Sequence, residues 1–252
     1  MVKFSIITAT FNSERTLKNC LDSVNNLYVT SEFDFEHLII DGGSKDNTLN
    51  IIQEYSKHNP KSFFLSEADN GIYDAFNKGI ELSNGDYILF LHSDDTFAYK
   101  NILLDYYEVL KDKTFKIDII YSDLHLINSN GKVIRRWRPG KFHKFKLFYG
   151  WMPPHPTILI HRSLFGVVGL FDTSYRISAD FEFVLRLLHT SNLKSYYLPK
   201  LTYLMGTEGV SNNNFTLKIK EDFRVLNGYY NFFVCISILV LKRVYKLNQF
   251  SV

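Results

Sequence analysis

The stretch Gly85-Asp86-Tyr87-Ile88-Leu89-Phe90-Leu91-His92-Ser93-Asp94-Asp95 limits what this chain can fold into more than any other. Every residue from Tyr87 to Leu91 is aromatic or aliphatic, which predicts a short strand covered on both faces, as in a parallel sheet flanked by helices. The run ends in two adjacent carboxylates. Side chains at the carboxyl end of such a strand stand at the rim of the sheet, where open α/β folds bind ligands, and neighbouring aspartates there repel unless a cation or donor neutralises them. A divalent metal holding a phosphate-bearing ligand answers both requirements. The plainer alternative is an Asp-Asp turn capping the next helix.

Other segments repeat the pattern. Residues 2–10 read as a first strand, followed by a helix with Leu17, Cys20, Leu21 and Val24 on one stripe and Asn12 or Ser13 as its cap. Residues 37–41 form a second strand that also ends in a carboxylate, Asp41, before Gly42-Gly43-Ser44 turns the chain into a helix with Asp46 as cap. After a third strand at 62–65, Gly71 permits a close turn, and Ile72, Ala75, Phe76 and Ile80 give the next helix its apolar face. Asp69, Asp74 and Lys78 are left near the loop or on the exposed side. Beyond Asp95 the sequence predicts a helix at 101–110, a strand at 118–123 and a hairpin turning at Asn130-Gly131.

The second half offers further candidates. Arg135, Arg136 and Arg138 suit a diphosphate or a membrane phosphate, against the alternative of a solvated loop. His155, between Pro154 and Pro156, sits in a constrained extended segment that either aims its ring at a ligand or holds it structurally. A helix opens after Ser178 with Asp180 in its first turn, where the helix dipole favours the ionised carboxylate and burial opposes it. With 252 residues, 46% of them hydrophobic, the chain can bury one large core or a core plus a small appendage, which excludes disorder. A formal charge of +3 from 29 basic and 26 acidic residues, with no zinc-finger or helix-turn-helix pattern, excludes general nucleic-acid binding. Cys20 and Cys235 fit neither a disulfide nor a zinc site and read as small buried residues in a reducing compartment. The amino terminus runs straight into a strand without a targeting segment, so the expected location is the cytoplasm.

Taken together, these blocks resemble the inverting family 2 nucleotide-sugar glycosyltransferases, especially the bacterial enzymes that build cell-surface polysaccharides. Thr8, Asn12 and Leu17 match the family's opening Thr-x-x-Asn-x-x-x-x-Leu, with one residue's freedom in spacing. The run from Ile40 to Thr48 matches the strand-Asp-Gly-Ser-x-Asp block, and Asp69 to Gly79 reproduces the Asp-x-Gly-x-Tyr-Asp-Ala-x-Asn-x-Gly block. His92-Ser93-Asp94-Asp95 corresponds to the metal-binding Asp-x-Asp element, with histidine in place of its first aspartate. The resemblance covers roughly residues 3–210. It implies an α/β protein of the GT-A, Rossmann-like type, with a mixed but mostly parallel central sheet flanked by helices and a C-terminal apolar helix. Residues 1–212 would be catalytic, 1–96 mainly for the nucleotide-sugar and 97–212 mainly for acceptor and base, with 213–252 a helical tail.

By this resemblance Asp41 meets the nucleobase, Thr8 and Ala9 the base and ribose region, and Asn12, Asp69, Lys78, Arg136 and Arg138 complete the donor site. Asp94 serves the ribose or the metal with Asp95 beside it, the cofactor being Mn²⁺ or Mg²⁺. Asp180 is the expected catalytic base, and Trp151, His155 and Glu182 are assigned to the acceptor. Read from its own residues, the loop 206–211 either closes over the donor and excludes water or is a plain surface connection. The apolar run 229–241 is too short to cross a bilayer comfortably and is assigned to packing, a homodimer contact or peripheral membrane contact, with packing or dimerisation ahead. A sugar nucleotidyltransferase shares the crevice and metal, but residues 10–18 are not a glycine- and lysine-rich triphosphate loop. A non-catalytic nucleotide-sugar-binding protein is the other alternative, kept open by His92 and opposed by Asp94, Asp95 and Asp180.

Overall fold

A computed structural model describes residues 1–112, 116–207, 214–247 and 249–250. Strands β1 (Val2–Thr10), β2 (Phe33–Asp41), β3 (Ser62–Ser66) and β4 (Tyr87–His92) are linked by helices α1 (Leu17–Asn25), α2 (Thr48–His58) and α3 (Ile72–Leu82). These four strands are all parallel and stand in the order β3-β2-β1-β4. The chain therefore builds outward from β1 and then returns to its other side, which opens a crevice at the carboxyl ends of β1 and β4.

The period-2 alternation inside these strands explains their burial. Ile7, Ala9, Ile88 and Phe90 enter one core, while Phe4, Ile6, Leu89 and Leu91 enter the core on the opposite face. Helices α1 and α4 (Ile102–Leu110) cover the second face through Cys20, Val24, Leu103 and Tyr106. On the first face lie α3, α5 (Phe165–Val168), α6 (Ala179–Leu188), α7 (Phe215–Asn227) and α8 (Phe232–Leu247).

Beyond β4 the sheet changes character. Strand β8 (Leu159–His161) is antiparallel to both β4 and β6 (Ile119–Ile127), and β6 pairs in parallel with β9 (Ser195–Met205) and antiparallel with β7 (Val133–Trp137). A two-residue β5 (Thr96–Phe97) closes the far edge against β9. The sheet is thus mixed, with continuous parallel order only in its first half. Strand β9 runs up to Met205, immediately before the expected loop 206–211, of which residues 208–211 lie outside the described residues.

Candidate active site

The strand register sets Thr10 opposite Asp41, Asp41 opposite Ser66 and Ala9 opposite His92, so the polar ends of four strands share one rim. Asp41 is fully buried there. Its Oδ2 accepts the N–H groups of Gly43 (3.2 Å) and Ser44 (3.1 Å) and the Ser66 hydroxyl (2.6 Å), and the Ser44 hydroxyl donates to Oδ1. The carboxylate therefore folds the 42–44 loop over the rim. Thr8 is buried too, its hydroxyl 2.9 Å from His37 Nε2, and Ala9 lies beside it in the core.

Asn12 does not cap α1, which begins at Leu17 without a side-chain cap. Its backbone, at a positive φ of 48°, donates to the Ser44 hydroxyl (2.8 Å), and its side-chain oxygen accepts from Lys45 N–H (2.8 Å). The loops after β1 and β2 are thereby stitched together. Ser13 extends the stitch to β4, its hydroxyl 2.8 Å from that of Ser93. Asp46 Oδ1 accepts the Thr48 N–H (3.0 Å), but the N-cap of α2 is Asn47, one residue later than expected, and its side chain makes no capping bond. Asp69 lies against Gly42, where an added Cβ would come within 2.6 Å of its Oδ2, and burial raises its pKa. Lys78 is occupied locally, 2.7 Å from Glu67 and 3.6 Å from Asp74.

At the end of β4, Asp95 is fully buried, with Oδ1 accepting the Gly206 N–H (3.1 Å) and Oδ2 without a partner. Burial, reinforced by the charge of Asp94, holds its carboxyl well above the usual range. Asp94 is half-buried beside it, under Gly206, where any Cβ would meet the Asp94 carbonyl oxygen at 2.6 Å. Of the seven buried side-chain polar atoms without a partner among the described residues, four line this region: Thr10 Oγ1, His92 Nε2, Asp95 Oδ2 and His155 Nε2. Buried polar groups are rarely left unpaired, so this clustering marks the crevice as built for a polar ligand.

His155 stacks on Phe90 at 5.6 Å, with its ring centre 6.4 Å from that of His92. Burial pushes His155 down to about 4 and lowers His92, while Asp180 opposes both shifts and Asp94 opposes that of His92. Asp94 and Asp180 thus both act electrostatically on the His92 ring. Asp180 stands in the first turn of α6, its Oδ1 3.4 Å from the Tyr73 hydroxyl, which donates to the Ile177 carbonyl (2.6 Å).

Several supporting residues escaped the sequence reading. Asn77 brackets Phe171, donating to its carbonyl and accepting its N–H, both at 2.9 Å. Tyr73 and Asn77 share one face of α3 at i,i+4 spacing, a signal of a common docking partner. Glu221 of α7 accepts the N–H groups of Arg176, Ile177 and Ser178, each at 2.9 Å. Next to it, Asp222 accepts from the Ser178 hydroxyl (2.7 Å) and Lys242 (2.9 Å). The only sequence trace of this clamp is Glu221 at i−4 from the apolar Val225.

Other candidates are committed to packing. Trp151 is buried, its indole N–H donating to the Pro139 carbonyl (2.7 Å) and its ring stacked on Phe142. Glu182 forms a two-point pair with Arg186 (2.9 and 2.7 Å), which also donates to the carbonyls of Val168 and Leu170. Strand alternation divides the arginine cluster. Arg135 is buried 4.5 Å from the Trp137 ring centre, whereas Arg136 and Arg138 are exposed, with Arg138 Nε 3.9 Å from Asp123. Among the described residues no group of three or more His, Cys, Asp or Glu is poised to hold a metal. Asp94 and the unpartnered oxygen of Asp95 are hard donors, which fit a Mg²⁺ or Mn²⁺ ion that takes its remaining ligands from phosphate and water.

An open α/β sheet with a polar, carboxylate-bearing crevice at its switch point defines a ligand-binding core of the nucleotide-binding type. Residues 5–165 match the family model described as Glycosyl transferase family 2, and the chain belongs to that family. It is 32% identical over 196 residues to the PGL/p-HBAD biosynthesis glycosyltransferase of Mycobacterium bovis (strain BCG / Pasteur 1173P2), covering 77% of this chain and 73% of the relative. Among solved structures it resembles S. aureus TarS 1-349 in complex with UDP-GlcNAc, with a TM-score of 0.70, 21% identity and coverage of 94% of this chain and 66% of that one. Of the longer TarS chain it spans 43%. It also resembles the mannosyltransferase PcManGT from Pyrobaculum calidifontis in complex with GDP-Man and Mn²⁺, with a TM-score of 0.66, 13% identity and coverage of 94% and 69%.

Proposed function

We propose that this chain is an inverting glycosyltransferase of the GT-A type, moving a sugar from a UDP-sugar to a hydroxyl of a growing, lipid-linked surface glycan. The observation that carries the reading is a pair of carboxylates on separate elements, Asp94 just after the end of β4 and Asp180 in the first turn of α6 beside the Tyr73 hydroxyl. A transferase that inverts in one displacement needs such a pair: one group on the donor's diphosphate side and a proton acceptor for the attacking hydroxyl. The TarS complex with UDP-GlcNAc supports the choice of a UDP-sugar, and the mycobacterial relative supports a glycan-building role. The PcManGT complex supports the cation.

In this reading residues 1–96 bind the donor. Thr8 and Ala9 form the floor, Asp41 and Asn12 hold the 42–45 loop as the wall beside the base, and Asp69 braces Gly42. Asp94, with Asp95 beneath it, holds the divalent ion. That ion, when bound, offsets the charge developing on the departing diphosphate. The exposed Arg136 and Arg138 reach the diphosphate as charge-assisted donors. Residues 97–212 supply the acceptor side and the base. Asp180 takes the hydroxyl proton as the oxygen attacks the anomeric carbon opposite the leaving group, with Tyr73 fixing its helix start. His155 borders the acceptor as a neutral ring.

Single-turnover transfer and donor binding by the same protein test the assignment. Asp180→Asn should slow transfer by about 10²- to 10⁴-fold while UDP binds normally. UDP affinity in wild type should fall sharply in EDTA and return with Mn²⁺ or Mg²⁺. Loss of UDP binding in Asp180→Asn would move that residue into the donor site, and near-normal transfer would remove it as the base. Donor binding without transfer by the wild type to any glycan acceptor would favour a non-catalytic binding protein.

A further inference from the structure

Helix α8 has two apolar faces, and only one is used. Cys235 and Ile238 are buried in the core, and Lys242 continues this inner side, with its ammonium on Asp222 and over the Phe181 ring at 3.5 Å. On the opposite side Phe233, Ile236, Val240, Val244 and Leu247 are exposed by 43% or more. Their spacing of three or four residues draws a single narrow stripe roughly 21 Å long at 1.5 Å per residue. Among the described residues no helix is long and apolar enough to cross a membrane, so the stripe suits a helix lying in a surface.

The surrounding charge selects the occupant. Glu221 and Asp222 are the only carboxylates in α7 and α8, and both are buried in the clamp on residues 176–178. Lys218, Lys220, Arg224, Arg243 and Lys246 therefore have no exposed acidic counterpart on either helix. Lys246 is lowered by desolvation and then by the positive charges of Arg135, Lys218 and Lys242 around it. The adjoining 3-10 turn, Lys144–Tyr149, meets α8 where Gly150 approaches the Lys242 backbone. It exposes Phe145, Phe148 and Tyr149, and from residue 124 to residue 171 the sequence holds eight lysines and arginines and no aspartate or glutamate.

From this we infer that the outer face of α8, with the aromatic 144–149 turn beside it, docks on an anionic lipid surface. A second copy of the chain would set one acid-free surface against another, and like charges across an interface oppose association. A bilayer bearing acidic headgroups supplies both the missing negative charge and the apolar layer that the stripe can enter. The docking face is also mechanically linked to the crevice, because Lys242 on the inner side of the same helix rests on Phe181 in the first turn of α6 and on Asp222 of α7, which in turn accepts the Ser178 hydroxyl just before α6. The inference stands on these surfaces alone and does not depend on the sugar-transfer reading.

Flotation of the full chain with vesicles tests it. Vesicles of equal parts phosphatidylcholine and phosphatidylglycerol should carry the protein upward at low salt, and phosphatidylcholine vesicles should carry at least tenfold less. Val240→Ser combined with Val244→Ser, and separately Arg243→Gln combined with Lys246→Gln, should each reduce the bound fraction severalfold without changing the melting temperature, because these side chains are exposed. Three results would overturn the proposal: no binding to the anionic vesicles, undiminished binding by both variants, or a wild-type dimer in sedimentation velocity that Val240→Ser/Val244→Ser converts to monomer. The last would assign the stripe to a second copy.

Discussion

Replacing Glu221 by glutamine should damage stability and transfer together, although the residue touches no ligand in the proposed scheme. Its carboxylate is 8% exposed and accepts three backbone N–H groups, with Oε1 taking Arg176 and Oε2 taking Ile177 and Ser178. Glutamine keeps the shape and one acceptor oxygen, so the bonds from Ile177 and Ser178 survive in neutral form. The Arg176 N–H then faces an NH₂ group. Hydrogen bonds to a charged acceptor contribute about 1.5–3 kcal/mol each and neutral ones about 0.5–1.5 kcal/mol. Losing one and weakening two amounts to about 3–5 kcal/mol. Equilibrium urea unfolding should show a loss of that size. At a temperature where the variant remains folded, single-turnover transfer should fall about tenfold or more with UDP affinity unchanged, because misorientation near the chemistry costs rate rather than donor binding. A loss below about 1 kcal/mol would refute the charged clamp. Full transfer activity in a destabilised variant would refute its role in aiming Asp180.

Other outcomes follow from single contacts. Gly206→Ala should lower the melting temperature by several degrees and weaken UDP binding, since the new Cβ must push the Asp94 backbone at a cost of about 1–3 kcal/mol to the folded state; calorimetry showing wild-type affinity would mean that 206 does not close on the donor site. Arg135→Ala should lower stability by about 1–2 kcal/mol through loss of its contact with Trp137, whereas Arg136→Ala should leave unfolding unchanged and slow transfer; the reverse pattern would invert the assignment. Burial pushes His37 down to about 3, so the unfolded chain binds its proton first as pH falls. The stability due to a neutral His37 is full above roughly pH 6.5 and declines by about 1.4 kcal/mol per pH unit below roughly pH 6. His37→Gln should flatten that slope in pH-dependent unfolding, and parallel slopes would rule out this source of acid sensitivity.

The sequence by itself determined the elements and the rim. The unbroken apolar run at 87–91, helical spacing in Leu17, Cys20, Leu21 and Val24, and carboxylates closing two strands are local signals, because backbone geometry repeats within two to four residues. The split of Arg135 from Arg136 was legible by strand alternation, although the cluster reads as one patch when only charge is considered. Tertiary structure alone decided which polar groups remain available at the rim. Asp41 looks like a free carboxylate in the sequence, but Ser66, 25 residues away, helps to occupy it. Trp151 looks like a sugar-stacking face until Pro139 and Phe142 enclose it. The position of Asp180 rests on Tyr73, 104 residues before the Ile177 carbonyl it holds, and on Glu221, 43 to 45 residues beyond the backbone it clamps. Gly206 meets Asp95 across 111 residues. Such contacts leave no periodic trace, because either partner alone is an ordinary polar residue on a loop or helix, and its role exists only once the sheet has closed the distance.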